Sequence, residues 1–357
     1  MLACGECVAF LLSLASTVHS LPSLDSYAVN LPLPSHVVDQ LASKPTWLEN
    51  IAVRSNGDLL VTQLAFPPVL YTVKSPWSAH AALEPIYTFD FPNITDILGI
   101  TETLPDTFIV VAGNATADSL GYAGTWSAWS ITFPSLGASA PGIRKITNIP
   151  AARLLNGLVA LPEHPTVVLI ADSQFGLLIR LDTATGKSEI IADRPEFKPH
   201  PELRNHTVGF GINGVKIRGQ YLYLSNSDLV SIFRVRITSD GYIAQYGKAP
   251  VELYADLSSA TIFVDDITIA EDGTLYAMSN FGNSVVAVSP DGRRIKTVVG
   301  GIGELTVAGD TSAAFGRTNK DKDVLYVCTA GALAEPVNGT VTEPGKVVAV
   351  DTSGWKC

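Results

Sequence analysis

Six times along this chain a short apolar run opens with a side-chain amide or carboxylate. The runs are Glu49-Asn-Ile-Ala-Val, Asp96-Ile-Leu-Gly-Ile, Asn156-Gly-Leu-Val-Ala, Asn213-Gly-Val-Lys-Ile, Asp266-Ile-Thr-Ile-Ala and Glu304-Leu-Thr-Val-Ala. They recur at intervals of roughly fifty residues. Each is followed by a turn and a second apolar run, as in Ser55-Asn-Gly-Asp before Leu59-Leu-Val and Glu271-Asp-Gly-Thr before Leu275-Tyr-Ala-Met. Several short strands per repeat of this length is the pattern of a β-propeller, in which each repeat is one blade. The chain is therefore read as all-β, a single six-bladed propeller over residues 21–357. If each run is an innermost strand, the six polar residues ring one mouth of the central channel, as a binding site or as a structural plug.

Every period also ends in a strand-like run: Pro85-Ile-Tyr-Thr-Phe, Ile143-Arg-Lys-Ile-Thr, Ser188-Glu-Ile-Ile-Ala, Val251-Glu-Leu-Tyr-Ala and Ile295-Lys-Thr-Val-Val. The sixth period lacks one, while His36-Val-Val-Asp-Gln-Leu-Ala stands unused near the start. The N-terminal strand is expected to complete the last blade, hiding two edges that would otherwise offer unpaired backbone groups. The second repeat is irregular. A long loop rich in Gly, Ser, Ala and Thr follows Asn114 and leads to a third strand at Thr125-Trp-Ser-Ala-Trp-Ser-Ile.

In an antiparallel blade, the lead-in to the inner strand and the link between second and third strands lie on one face. That face receives Trp47, Phe66, Tyr122, Phe175, Phe210, Phe263 and Phe281, whereas the other carries ordinary polar turns such as Glu163-His-Pro and Arg218-Gly-Gln. Aromatic walls over a polar floor are the usual anatomy of a small-molecule site.

Met1–Ser20 reads as a secretory signal, with Val8–Ala15 as its apolar stretch and Val18 and Ser20 suited to a cleavage site. The stretch is too short to span a bilayer. Cleavage would remove Cys4 and Cys7 and leave Cys328 and Cys357, which are expected to form a disulfide in an oxidising compartment. Its loop of about 30 residues would contribute roughly 3–4 kcal/mol by chain entropy. Four glycosylation sequons, at Asn93, Asn114, Asn205 and Asn338, agree with a secretory or extracellular location. A formal net charge of −10 with no basic stripe argues against nucleic acid. The histidines show no zinc spacing, Asp172-Ser173 has no histidine placed to activate it, and no phosphate-binding glycine loop opens a helix.

Glu49, Asn156-Gly-Leu, Asn213-Gly-Val and Asp265-Asp-Ile-Thr-Ile-Ala-Glu-Asp-Gly-Thr-Leu-Tyr together resemble the senescence-marker-protein/gluconolactonase-like propellers, over about residues 34–352. The resemblance implies that Glu49, Asn213 and Asp266 hold a divalent cation, usually calcium, and that Asn156 lies near the substrate. Oxygen-only ligands suit such a hard cation. Two departures weaken the lactonase implication. Asn50-Ile51 stands where the family has Gly-Pro, and Leu224-Ser-Asn226-Ser replaces a frequent Asp.

In general character (signal, sequons, altered metal motif, apolar mouth) the chain also resembles the fungal secreted hetero-Diels–Alderases. These join a quinone methide to a terpene alkene in tropolone-sesquiterpenoid pathways. Such a cycloaddition needs no redox cofactor or nucleophile. It needs two apolar partners held in register and a hydrogen-bond donor at the quinone-methide oxygen. Asn156, Asn213 and Asn226 are the candidate donors, and the aromatics are the candidate walls. The expectation is an enzyme of this kind, acting as a monomer on an apolar small molecule. A calcium-dependent lactonase and a non-catalytic binding propeller are the alternatives.

Overall fold

The computed structural model describes Met1 and residues 30–64, 67–116, 120–203 and 208–355. The predicted signal segment, Phe66, the Asn205 sequon and Cys357 lie outside the described residues, and with Cys357 so does the predicted disulfide. The described chain forms six four-stranded antiparallel sheets. Five are meanders built from consecutive strands. The sixth contains Asp310–Phe315, Val324–Thr329, Lys346–Asp351 and, outermost, the N-terminal strand Ser35–Gln40. Ser35 pairs with Val350 and Gln40 with Lys346, so the two ends of the chain close the ring as the sequence predicts. Leu33 reinforces the closure. Its side chain is buried between blades five and six, and its N–H donates to Val298 O at 2.7 Å.

The inner strands are Trp47–Val53, Asp96–Glu102, Leu155–Ala160, Ile212–Arg218, Ile267–Ile269 and Asp310–Phe315. They touch one another in cyclic order, the sixth returning to the first. Apolar clusters fill the gaps between neighbouring blades. One is Leu98, Val111, Trp126, Leu155 and Val168 between blades two and three, and another is Leu169, Leu178, Val215 and Leu224 between blades three and four. The alternation of each strand thus feeds two interfaces at once, which is why most residues of the first three strands of each blade are buried, while the outermost strands are largely exposed or half-buried. The five outer runs read from the sequence are all observed as fourth strands.

One blade corrects the sequence reading. Glu304 does not open the sixth inner strand; it is exposed in a turn, and Asp310 takes the expected place. The strand that lines the channel here is Asp310-Thr-Ser-Ala-Ala-Phe. A narrow channel admits only small side chains, so the true strand lacks the apolar bulk by which the others were recognised. The apolar run Leu305–Ala308 instead sits in the turn that leads to it, with Val307 and Ala308 buried.

Candidate functional site

The inner strands share a local defect that builds the mouth. Their pairing with the second strands shifts register between Leu48 and Asn50, Ile97 and Ile100, Leu155 and Leu158, Ile212 and Val215, and Asp310 and Ser312. Such bulges re-aim side chains. In the third and fourth blades the residues freed from the ladder are Asn156-Gly157 and Asn213-Gly214. The glycines are steric necessities. A Cβ on Gly157 would lie 2.5 Å from Asn213 O, and one on Gly214 would lie 2.3 Å from Asp266 Oδ1. Asn-Gly is therefore the local code for an amide at the mouth and a close approach to the next blade.

The polar residues sort into two layers. In the deeper one, Asp266 is a hub. Its carboxylate accepts from Asn50 Nδ2 at 3.1 Å, Ser312 Oγ at 2.7 Å, Lys216 Nζ at 3.1 Å and its neighbour's N–H, Ile267 N, at 2.7 Å. These partners come from the first, sixth and fourth blades, so Asp266 ties the channel across its width. Asn50, the residue found where glycine was expected, is one of the ties. This layer is a plug. Below it the channel widens into a cavity of about 240 Å3 lined by Ile51, Val53, Ile100, Leu158, Lys216 and Phe315 among others.

The upper layer is the mouth. Glu49 is buried and accepts from Trp47 Nε1 at 2.6 Å. Asp265, rather than Asp266, faces Asn213. It accepts from Asn213 Nδ2 at 2.9 Å and from Asn280 Nδ2 at 2.8 Å. Of the expected cation set of Glu49, Asn213 and Asp266, the Asp266 carboxylate already accepts from four donors, whereas Asp265 is the carboxylate hydrogen-bonded to Asn213. Burial, and next to it the charge of Asp265, push the Glu49 carboxyl well above its ordinary range. Burial likewise raises Asp265 to about 7, with Asp266 adding to the rise and the Asn280 and Asn213 amides opposing it. Burial also lifts Asp310 well above its usual value. Carboxyls raised in this way keep their protons to a higher pH than exposed ones.

The three amides predicted as donors fare differently. Asn226 is fully buried. Its Nδ2 donates to Glu196 O and Lys198 O, and its Oδ1 accepts from Leu229 N–H, so it is a loop anchor with nothing left for a substrate. Asn213 spends both amide protons on Ser227 Oγ and Asp265. Asn156 alone of the three makes no side-chain hydrogen bond among the described residues, and it keeps 6% of its surface open. Asp96 is drawn away by Thr95 and the Ala115 N–H and holds down the long loop of blade two.

The aromatics divide as well. Phe210, Phe263 and Phe281 form one cluster. The rings of Phe263 and Phe281 stack at 4.2 Å between centroids, and Phe210 meets Phe263 edge-on at 6.2 Å. Tyr122 and Phe175 are exposed on the same face, on blades two and three, and Trp47 is half-buried beside Glu49. The Phe175 turn is built by Asp172. Its carboxylate accepts from the N–H groups of Arg153, Gln174 and Phe175, and Gly176 follows in a left-handed conformation. Asp172-Ser173 is therefore structural. Of the described sequons, Asn93 and Asn338 are exposed in mouth-side loops, while Asn114 accepts from Thr95 Oγ1. Cys328 is buried in the closing blade, 3.4 Å from Ser312 O.

Whether a cation suits the mouth can be tested on its donors. Asn213 Oδ1, Asn280 Oδ1 and Asp310 Oδ1 are buried without a hydrogen-bond partner, beside two protonatable carboxylates. An all-oxygen set of this kind fits a hard cation. Among the described residues no three His, Cys, Asp or Glu side chains converge as a ligand group, so such a site would depend on the amides. Sequence reasoning missed Asn280, Asp310 and the role of Asp265. Asp265 was visible in its motif, but the other two open no apolar run.

No family model matches the chain. Among solved structures it is similar to a luciferin-regenerating enzyme (17% identity, 88% of this chain and 94% of that one, TM-score 0.60). It is also similar to a calcium-binding regucalcin of Agrobacterium tumefaciens (13%, 89% and 94%, TM-score 0.58) and to a gluconolactonase of Xanthomonas campestris (12%, 89% and 89%, TM-score 0.55). At these identities they share the fold. Two sequence relatives are much nearer. One, from a Phoma species and named hetero-Diels-Alderase, is 32% identical over 348 residues, covering 91% of this chain and 92% of its own. The other, from Sarocladium schorii and named hetero-Diels-Alderase asR5, is 34% identical over 351 residues, covering 91% and 85%. With identity of this order across nearly the whole propeller, the chain belongs to the hetero-Diels–Alderase family, catalysts of ring-forming cycloaddition.

Proposed function

We propose that the aromatic mouth binds a quinone methide and a terpene alkene together and closes them into a six-membered oxygen heterocycle. The quinone methide contributes its exocyclic carbon and its oxygen, and the alkene contributes both carbons. One C–C and one C–O bond form, two π bonds are consumed, and nothing leaves. When the C–C bond forms ahead of the C–O bond, negative charge grows on the oxygen and positive charge on the far alkene carbon. A donor amide stabilises the first, and an aromatic face stabilises the second.

The unspent amide of Asn156 carries this reading, since it is a buried donor with no side-chain hydrogen bond among the described residues to give up. Burial pushes the Glu49 carboxyl well above its ordinary range, which favours the protonated form that could serve as a second donor. The stacked Phe263 and Phe281 rings provide a flat apolar wall. Orientation is the main contribution, because two partners already in contact avoid most of the entropic cost of encounter. The apolar walls also slow the addition of water to the quinone methide. The reading is tested by incubating the full chain with a terpene alkene and a quinone-methide precursor and following the heterocycle by chromatography. Acceleration and stereochemical enrichment that persist in EDTA are expected; a product distribution equal to the protein-free reaction would refute it.

A second reading has its own support in the orphaned Asn213 Oδ1 beside Asp265 and Glu49. These three residues would hold a divalent cation, which when bound would polarise a lactone carbonyl. The Glu49 and Asp265 carboxylates would give up their protons on binding, and Asn280 would keep Asp265 oriented. Stoichiometric calcium binding together with chelator-sensitive lactone hydrolysis would favour it over the cycloaddition.

A further inference from the structure

Most of the buried or clustered cations of this acidic chain are matched. Arg54 meets Asp106, Arg180 meets Glu189, Arg234 meets Glu252, Arg317 meets Glu102 and Lys216 meets Asp266. Arg153 is different. Its guanidinium makes no ion pair and no hydrogen bond among the described residues, although its backbone is fixed by Asp172 at 2.7 Å. It lies over the ring of Phe175, 5.8 Å from the centroid, at the mouth and three residues before Asn156.

The surroundings of Arg153 are rigid. Gly121 packs so closely that a Cβ there would sit 1.9 Å from Arg153 O, and the Gly121 N–H donates to Gln174 Oε1 at 3.0 Å. That strut ties the long loop of blade two to the Phe175 turn of blade three. It brings the loop that carries the exposed Tyr122 up to the backbone of Arg153, whose guanidinium lies over the exposed Phe175. Lys198 Nζ holds Phe175 O at 2.7 Å from the other side. A planar cation without an ion pair among the described residues, lying over one exposed ring and beside the loop that carries another, suits one kind of ligand.

We propose that Arg153, Phe175 and Tyr122 form a subsite for a planar ring carrying an anionic oxygen, such as a phenolate or a vinylogous carboxylate. The ring lies on Phe175 or Tyr122 while the guanidinium takes the oxygen. The subsite rests on the cycloaddition reading in one respect: it assigns the oxygen-bearing partner to the side of the mouth formed by blades two and three. That leaves the Phe210–Phe263–Phe281 side for the hydrocarbon partner. In a chain of net charge −10, a cation with no ion pair among the described residues also gives such an anion a favourable point of approach.

The test uses the full chain and 4-nitrophenolate at pH 8, with 4-nitroanisole as the uncharged control, both followed by calorimetric titration. One-to-one binding of the phenolate is expected, at least tenfold tighter than the anisole. Arg153→Met should erase that preference, Arg153→Lys should restore part of it, and Phe175→Ala should weaken both ligands several-fold. Because the guanidinium makes no hydrogen bond or ion pair among the described residues, Arg153→Met should melt within about 2 °C of the parent, so a lost fold will not mimic a lost site. Failure of the parent chain to bind, equal affinity for the two ligands, or undiminished phenolate binding by Arg153→Met would each overturn the subsite. The outcomes are separable from those of the cycloaddition reading. Phenolate binding without turnover of quinone methide and alkene would sink the reaction and leave the subsite. Turnover in a chain indifferent to the phenolate charge would do the reverse.

Discussion

Asn156 and Asn226 have the same side chain, stand near the same mouth and were both readable as donors, yet they belong to different parts of the molecule's economy. Every polar atom of Asn226 is engaged by the backbone of its own or a neighbouring loop, while Asn156 is engaged by none. Their alanine variants should separate cleanly. Asn156→Ala is expected to lower kcat at least tenfold, the size of a lost transition-state donor, with its melting temperature within about 2 °C of the parent. Asn226→Ala should instead cost on the order of 2 kcal/mol of stability, because buried carbonyls lose their donors. Calorimetry beside steady-state kinetics distinguishes the two, and a stable, fully active Asn156→Ala would remove this residue from the chemistry. At the same scale, Phe281→Ala takes away one face of the stacked pair. It should lower the stereochemical excess of the cycloadduct more than the rate, which chiral chromatography reads directly. The sequence placed both amides and the ring at the mouth. It could not say which amide was already spent, since that depends on loops from elsewhere in the chain that reach Asn226.

At the scale of the element, the inner strands were recognised by a polar residue followed by apolar ones, and five of six were found that way. The failure at Glu304 has a physical cause. The strand Asp310–Phe315 carries Thr, Ser and Ala where the others carry larger apolar residues, so an inner strand whose first four residues are buried shows little hydrophobic signal. The Asn-Gly pairs have an equally local cause in the bulges and in the approach of neighbouring inner strands. Gly157→Ala would drive a methyl against Asn213 O, which lies 2.5 Å from the ideal Cβ position. It should cost roughly 3 kcal/mol, in the upper range for overpacking, and should perturb Asn213. Urea denaturation measures the loss; a variant as stable as the parent would mean that the inner strands can separate freely. The closing strand offers a second check. Removing residues 30–40 would strip Ser35–Gln40 from its partner, withdraw Leu33 and leave Lys346–Asp351 as a bare edge. The truncated chain should melt at least 5 °C lower and self-associate in sedimentation, while an unchanged melting curve would make the N-terminal strand an ornament.

The whole molecule is held around an axis where acids from distant blades meet, and this gives it a characteristic response to pH. Glu49, Asp265 and Asp310 all have folded-state carboxyls raised by burial, Asp265 to about 7. Between the ordinary carboxylate range and about pH 7 the folded chain therefore holds more protons than the unfolded one, so stability declines as pH rises through that window. The melting temperature should fall from about pH 4 to pH 8. Asp265→Asn should flatten part of the slope, since its new amide could donate to the orphaned Oδ1 of Asn213 or Asn280. A chain whose melting temperature climbs over the same interval would show these acids to be ionised and paired. Calcium supplies the complementary control: a cation at the mouth would favour the charged carboxylates and abolish the decline.

By itself the sequence determined the number of blades, the closure by the N-terminal strand and five of the six inner strands with the polar residues that open them. Each of these follows from short-range patterns: alternation within a strand, turns between strands, and a polar residue at a fixed place in every repeat. Tertiary structure alone decided which of those residues are free to act. Asp265 faces Asn213 while Asp266 is bound into the plug, Asn226 is consumed as an anchor, and Arg153 is left unpaired beside Phe175, because hydrogen-bond partners around a ring come from blades that are remote in sequence.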